Sequence, residues 1–247
     1  MSSDSSILSV KAKLVAELRA QLQRLERARQ TTNQGIFSTG CEPLDRLLPR
    51  RGLSRGTLIE WLAMGEASGA MWLALIAARE ACQEDGPLVV IDGRGTFYPP
   101  AATAAGVDLE RLIVVRPSSA REETWALDQS LRSEGAGTVL CMTDRLGQRA
   151  LRRLQLAAEA SGGVGLLVRP ASVRHEPCWS EARLLVEPRA GTTGRRLSVE
   201  VLRTRGTVAD ELIAERKLEL EIDDETGVMR AIARLASAAT RRRSSGA

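Results

Sequence analysis

EWLAMGEASGAMWLALIAA, residues 60–78, passes from an apolar strand through a turn of small residues into an apolar helix. That is the shape of a loop that cradles phosphate. In such loops glycines let backbone N–H groups curl around the anion, and the helix N-terminus adds positive potential. A lysine and a hydroxyl then hold the outer phosphates and Mg²⁺. Aligned on Gly69, the positions of a GxxxxGK[ST] loop are Met64, Gly65, Glu66, Ala67, Ser68, Gly69, Ala70 and Met71. Turn flexibility survives in Gly65, Ser68 and Gly69. The first glycine has become Met64, the lysine Ala70 and the hydroxyl Met71. Taken alone this is a weak signal, because a glycine-bearing strand–helix turn is common in α/β proteins.

Outward from this stretch, short apolar runs alternate with amphipathic segments. TLIEWLA, PLVVID, LIVVRP, TVLCMTD and VGLLVRP read as strands, and residues 70–84, 121–134 and 146–161 as helices. A further helix lies in YPPAATAAGV, and a short one over 42–48. Such alternation predicts βαβ units and a mostly parallel buried sheet. After Pro170 the texture changes: ARLLVEP, RRLSVEVLRTR and RKLELEID read as antiparallel strands of alternating polarity. Near the start, Leu14, Leu18, Leu22 and Leu25 recur at helical spacing among charged residues. They form either a helix packed on its own domain or a docking helix for another chain. The expected division is therefore an N-terminal helix over 1–31, an α/β core over 32–205, and C-terminal strands with a flexible basic tail over 206–247.

The chain has 247 residues, 43% hydrophobic and 27% charged, ordinary values for a soluble globular protein. A net charge of +4 is compatible with nucleic acid or an acidic partner without demanding either. The cysteines, Cys41, Cys82, Cys141 and Cys178, form no CxxC pair, and with the single histidine, His175, no metal site is expected. No long apolar run opens the sequence or reaches the length of a membrane span, so a cytoplasmic protein is expected.

FSTGCEPLDRLLPRRGLSRGTLIEWLAMGEASGAMWLALIAA resembles the start of the RecA recombinase core, with its S-T-G, L-D, glycine-rich turn and G-x-[IL]-x-E strand in order. PLVVIDGRGTFYPPAATAAGVDLERLIVVRP continues the likeness, which extends from residue 37 to residue 205. Within that group the degenerate loop and the LELEIDDETG ending resemble the ImuA type, RecA-like proteins encoded with a damage-inducible mutagenesis cassette. The resemblance implies a RecA-like α/β core. It places Arg94 where the catalytic glutamate belongs, Thr143 at the Walker B acid with Asp144 beside it, and Arg169-Pro170 at the sensor Asn-Gln. Arginine stays protonated and cannot act as a base. A scaffold without ATPase activity, cofactor or metal is expected, with Trp61, Trp72, Met64 and Met71 filling the vacated cavity.

The resemblance also maps Arg203 and Arg205 to a basic pair that reaches a neighbouring subunit's phosphates; the alternative is a solvated edge strand. The first DNA-binding loop has no room, and the second is compressed to ASVRHEPCWSEA, so direct DNA binding is expected to be weak. In that segment His175 and Trp179 could stack a base, against the alternative of a buried Trp and a surface His. Arg145, Arg149, Arg152 and Arg153 form either a phosphate or partner patch or a solvated helix face. The implied function is a non-catalytic accessory factor in SOS-inducible mutagenic translesion synthesis. It would bind RecA, capping or modulating its filament, and ImuB, and through them meet the error-prone polymerase and DNA at the nucleoid. The alternatives are a SulA-like cell-division inhibitor, or a weak RecA/RadA-type ATPase using Arg55 or Arg94 in place of the lysine.

Overall fold

Asp45 organises the entry to the core. Its carboxylate accepts hydrogen bonds from Ser38 Oγ (2.6 Å) and the Thr39 N–H (2.8 Å), folding the S-T-G segment over a short helix. The computed structural model describes residues 35–82, 86–133, 135–191, 194–205, 217–223 and 229–232. The N-terminal segment carrying Leu14, Leu18, Leu22 and Leu25 lies outside them, as does most of the C-terminal tail. β1 (Ile36–Phe37) pairs with β2 (Leu53–Ser54) across α1 (Glu42–Asp45). The helix expected over 42–48 ends at Asp45, after which the Leu47 and Leu48 N–H groups turn back to the Leu44 and Asp45 carbonyls, three residues earlier, at 3.0 Å each.

There follow β3 (Thr57–Ala63), α2 (Ala70–Cys82), β4 (Leu88–Ile91), α3 (Pro99–Ala104), β5 (Leu112–Val115), α4 (Ala120–Arg132), β6 (Thr138–Met142), α5 (Gln148–Ser161) and β7 (Val164–Pro170). The chain then continues through β8 (Ala182–Arg189), β9 (Arg195–Thr204), β10 (Lys217–Ile222) and β11 (Met229–Ala231). β3 to β11 form one nine-stranded sheet in the order β11-β10-β9-β8-β3-β7-β6-β4-β5. The expected mostly parallel sheet, flanked by helices and ending in antiparallel strands, is the one observed. One detail differs: β8, read as antiparallel, runs parallel to β3, and the reversal comes at β9. β8 is covered on both faces like its parallel neighbours, and its edge is taken by β9. The described strands of 206–247 extend this same sheet.

Alternation along β3 shows how the layers are filled. Ile59 and Trp61 face α2 and α3, while Leu58 faces α4 and α5. Leu62 joins a smaller cluster with Ala171, Val173 and Leu185. α2 buries Leu73, Leu75 and Ile76 among five alanines, whose small side chains let the helix lie close to the sheet. Each buried leucine or isoleucine contributes about 1.5–3 kcal/mol. α5 is tied to β3 by Gln155, whose Oε1 accepts from the Leu58 N–H at 3.0 Å. Among the described residues no helix is long and apolar enough to cross a membrane.

Candidate functional site

The loop between β3 and α2 turns on two glycines. Gly65 and Gly69 take left-handed φ values of 95° and 82°. A Cβ at Gly69 would lie 2.6 Å from Leu197 on β9, whereas Gly65 borders open space. The Met64 N–H donates to the Val186 carbonyl at 2.9 Å, fastening the loop to β8. Ser68 is buried, and its Oγ accepts from the Ala70 N–H at 3.4 Å.

Above the loop lies an open cleft of about 230 Å³, lined by Met71, Met142 and Val168 on its apolar side and by Arg94, Asp144 and Arg169 on its polar side. The expectation that Trp61, Trp72, Met64 and Met71 fill this space is corrected. Trp61 alternates with Glu60 and Leu62, which sends its ring under α2 into the core. Trp72 packs at the rim of that core, with the Arg195 guanidinium 5.1 Å from its ring centroid. Met64 packs against the Leu62–Leu185 cluster. Only Met71 borders the cleft.

Asp92 shapes the far wall. Its carboxylate accepts from the Thr96 N–H (2.9 Å) and the Phe97 N–H (3.2 Å), closing the turn that carries Arg94. Arg94 forms a salt bridge with Asp144, so the carboxylate nearest the Walker B position is already paired with a cation. Thr143 is buried at the strand end, its N–H donating to the Val168 carbonyl. Arg55 cannot replace the missing lysine. It sits before the start of β3, a strand of seven residues or roughly 20 Å from the loop, and donates to the Ala81 carbonyl at 2.8 Å. A nucleoside triphosphate with Mg²⁺ does not fit these residues. Position 70 offers no ammonium group, position 71 offers no hydroxyl, and Asp144 is engaged. Among the described residues no cluster of three or more His, Cys, Asp and Glu is placed to hold a metal ion.

Beneath the cleft is an arrangement the sequence reading did not assemble. Glu60, wholly buried, accepts from Arg169 Nη1 at 2.8 Å and from Arg183 Nε at 2.6 Å, bridging β3, β7 and β8. Burial pushes the Glu60 carboxyl up, but the Arg183 and Arg169 guanidiniums outweigh it and hold the group below the usual carboxylate value. Arg183 Nη1 also donates to the carbonyls of Val173, Arg174 and Glu176, at 3.3, 3.1 and 2.7 Å. It thereby fixes the 3₁₀ turn Ala171–His175, at the head of the compressed second loop. A signal was present: each of the three charges interrupts a strand that otherwise reads as buried, and a buried charge requires a partner.

The other candidate residues are dispersed. β9 ends at Thr204, so Arg205 lies just beyond the strand on which the pair was expected. Arg203 Nη1 donates to the Cys178 carbonyl and Arg205 Nη1 pairs with Glu159 on α5, each at 3.0 Å. Both are exposed, at the end of β9 opposite to the cleft. α5 begins at Gln148, which leaves Arg145 in the preceding loop. Arg153 pairs with Asp128 at 3.2 Å, whereas Arg152 lies 4.3 Å over the ring of Trp179. Trp179 is 38% exposed, which corrects the reading of a buried ring. His175 is exposed, and its Nε2 accepts from Arg174 Nε.

The family model of the RecA N-terminal domain matches residues 18–155. The chain is 33% identical over 113 residues to Protein RecA of Rhodopirellula baltica, covering 46% of this chain and 30% of that protein. It is 30% identical over 155 residues to Protein RecA of Chlorobaculum tepidum, covering 54% of this chain and 44% of the relative. It is likewise 30% identical over 122 residues to the mitochondrial DNA repair protein recA homolog 3 of Arabidopsis thaliana, covering 49% and 28% of the two chains. The chain thus spans less than half the length of these relatives.

Proposed function

The chain belongs to the RecA family, and from that premise we propose that it is a non-catalytic member acting as an accessory factor in mutagenic translesion synthesis of the ImuA kind. It does not hydrolyse ATP. It docks on RecA, where it caps or modulates the filament, and on ImuB, and so connects a DNA-damage filament to an error-prone polymerase. The observation that carries this reading is the cleft. The loop still turns on Gly65 and Gly69, yet Ala70 and Met71 stand where cation and hydroxyl belong, and Arg94 pairs with Asp144 where a base and a metal ligand would work. A fold kept without its chemistry is a fold kept for its surfaces. Arg203 and Arg205, exposed at the end opposite to the cleft, suit contact with a neighbouring subunit's phosphates after exchanging their present hydrogen bonds.

Two measurements test the proposal. Calorimetric titration with ATP and Mg²⁺ should give no heat of binding, and saturable binding followed by phosphate release refutes the non-catalytic reading. Co-purification with RecA and with ImuB should retain both partners. The Arg203→Ala, Arg205→Ala double variant should lose RecA and its effect on filament length; an unchanged length refutes capping.

A further inference from the structure

The outer face of α5, together with the 174–179 segment, carries a surface that the cleft-centred reading leaves unused. Four contacts hold the two segments side by side. Gln148 Nε2 donates to the Pro177 carbonyl at 2.6 Å, and Arg152 stacks on Trp179. Arg169 reaches both the Leu146 carbonyl and Glu176, each at 3.5 Å. The result is a rigid surface built from α5 and a turn that Arg183 holds from below.

Its composition is uneven. The acidic side chains around it are engaged elsewhere: Asp128 with Arg132 and Arg153, Glu159 with Arg205, Asp144 with Arg94, and Glu176 with Arg169. Arg145, Arg149, Arg152 and Arg174 are exposed and form no ion pair among the described residues. Within this group of cations two apolar side chains face solvent, Leu156 at 48% and Trp179 at 38% exposure. Arg149, Arg152 and Leu156 follow one another at intervals of three and four, so they form one ridge along the helix.

We propose that this ridge is a docking surface for an acidic amphipathic helix of a partner protein. The partner's carboxylates would meet Arg149, Arg152 and Arg174, and an aliphatic side chain would bury Leu156 and the edge of Trp179. Charge complementarity chooses the sign of the partner, and the apolar pair chooses protein over single-stranded nucleic acid. Strand binding without sequence preference relies on successive aromatic platforms. Here the exposed rings on this surface among the described residues are Trp179, one side of which already carries Arg152, and His175, whose Nε2 already accepts from Arg174 Nε. A nucleic-acid backbone also has no use for an exposed leucine. A docked amphipathic helix seats its apolar face on apolar anchors, and Arg–carboxylate pairs beside them add strength and fix its orientation. The inference stands apart from the translesion reading, since it requires no particular pathway.

The test uses a fluorescein-labelled helical peptide of ~16 residues, about four turns, with glutamates flanking a leucine stripe. Its glutamine counterpart and a dT oligonucleotide of equal length serve as comparisons, all read by anisotropy on the whole chain. The acidic peptide should bind, weaken as salt rises, and lose roughly tenfold or more in affinity with Arg149→Glu plus Arg152→Glu, and again with Leu156→Glu. These residues are exposed, so circular dichroism should show the fold unchanged. Absence of peptide binding, equal binding of the glutamine peptide, or indifference to the substitutions overturns the proposal. Tighter binding of the oligonucleotide, dependent on Trp179, overturns it in favour of a nucleic-acid surface.

Discussion

Replacing Glu60 with glutamine removes the single negative charge at the centre of the buried Arg169–Glu60–Arg183 group and changes the volume of the site very little. Arg183 keeps three carbonyl acceptors within 3.3 Å, all of them on Nη1, while its buried Nη2 has no hydrogen-bond partner and Nε loses the carboxylate it donated to. Arg169, at 1% side-chain exposure, keeps only the Leu146 carbonyl and the half-exposed Glu176 carboxylate, both at 3.5 Å, in place of a buried counter-charge at 2.8 Å. Taking one partner from a buried ion pair costs about 3–5 kcal/mol, and the amide oxygen of glutamine retains one acceptor, so about 3 kcal/mol is expected. At about 2–4 °C per kcal/mol for a chain of this size, the midpoint should fall by ~6–12 °C. Urea unfolding followed by far-UV circular dichroism supplies the free energy. Glu60→Met, Arg169→Met and Arg183→Met together should recover about half the loss or more, because an apolar filling needs no counter-charge. The pH dependence has a definite sign. Glu60 titrates below its ordinary value of 4.5, so the folded chain holds fewer protons there than the unfolded one. Its contribution is complete above 4.5 and disappears as pH falls through the lower folded value; the glutamine variant should lack that portion of the acid slope. A loss under about 1 kcal/mol, or a triple variant no better than the single one, refutes the reasoning.

Gly69→Ala should destabilise the chain by about 1–3 kcal/mol, since it combines a left-handed φ with a Cβ 2.6 Å from Leu197. Gly65→Ala, with the same sign of φ but open space, should cost only about 1 kcal/mol by the same urea titration. Thiol labelling of the native chain should proceed first at half-buried Cys82. Burial raises the pKa of Cys41, Cys141 and Cys178, and keeps them from reagent until the protein unfolds. Labelling of Cys141 at the Cys82 rate in native buffer contradicts that ordering.

Much of the architecture could be read before any coordinates. Five strands of the parallel part and the helices between them follow from period and turn chemistry: β3, β4, β6 and β7 are covered on both faces and have to be apolar along their length, and β5 is apolar too although it lies at the sheet edge. The loss of the loop lysine and hydroxyl is likewise a property of single positions. The direction of β8 was misread because alternating polarity indicates how a strand is covered, not which way its neighbour runs.

What the sequence determined by itself was local. It specified which segments are strands and helices, which glycines turn the loop, and which chemical groups are missing from it. Which side chains meet was decided by the tertiary structure. Glu60, Arg169 and Arg183 are separated by 109 and 123 residues and become one buried group only when β3 is inserted between β7 and β8. The same holds for Arg94 on Asp144, for Arg152 on Trp179, and for the cleft that stays open because Trp61 turns under α2. Covalent order restricts neighbours a few residues apart, whereas contacts between distant segments depend on strand order and on the face each residue takes.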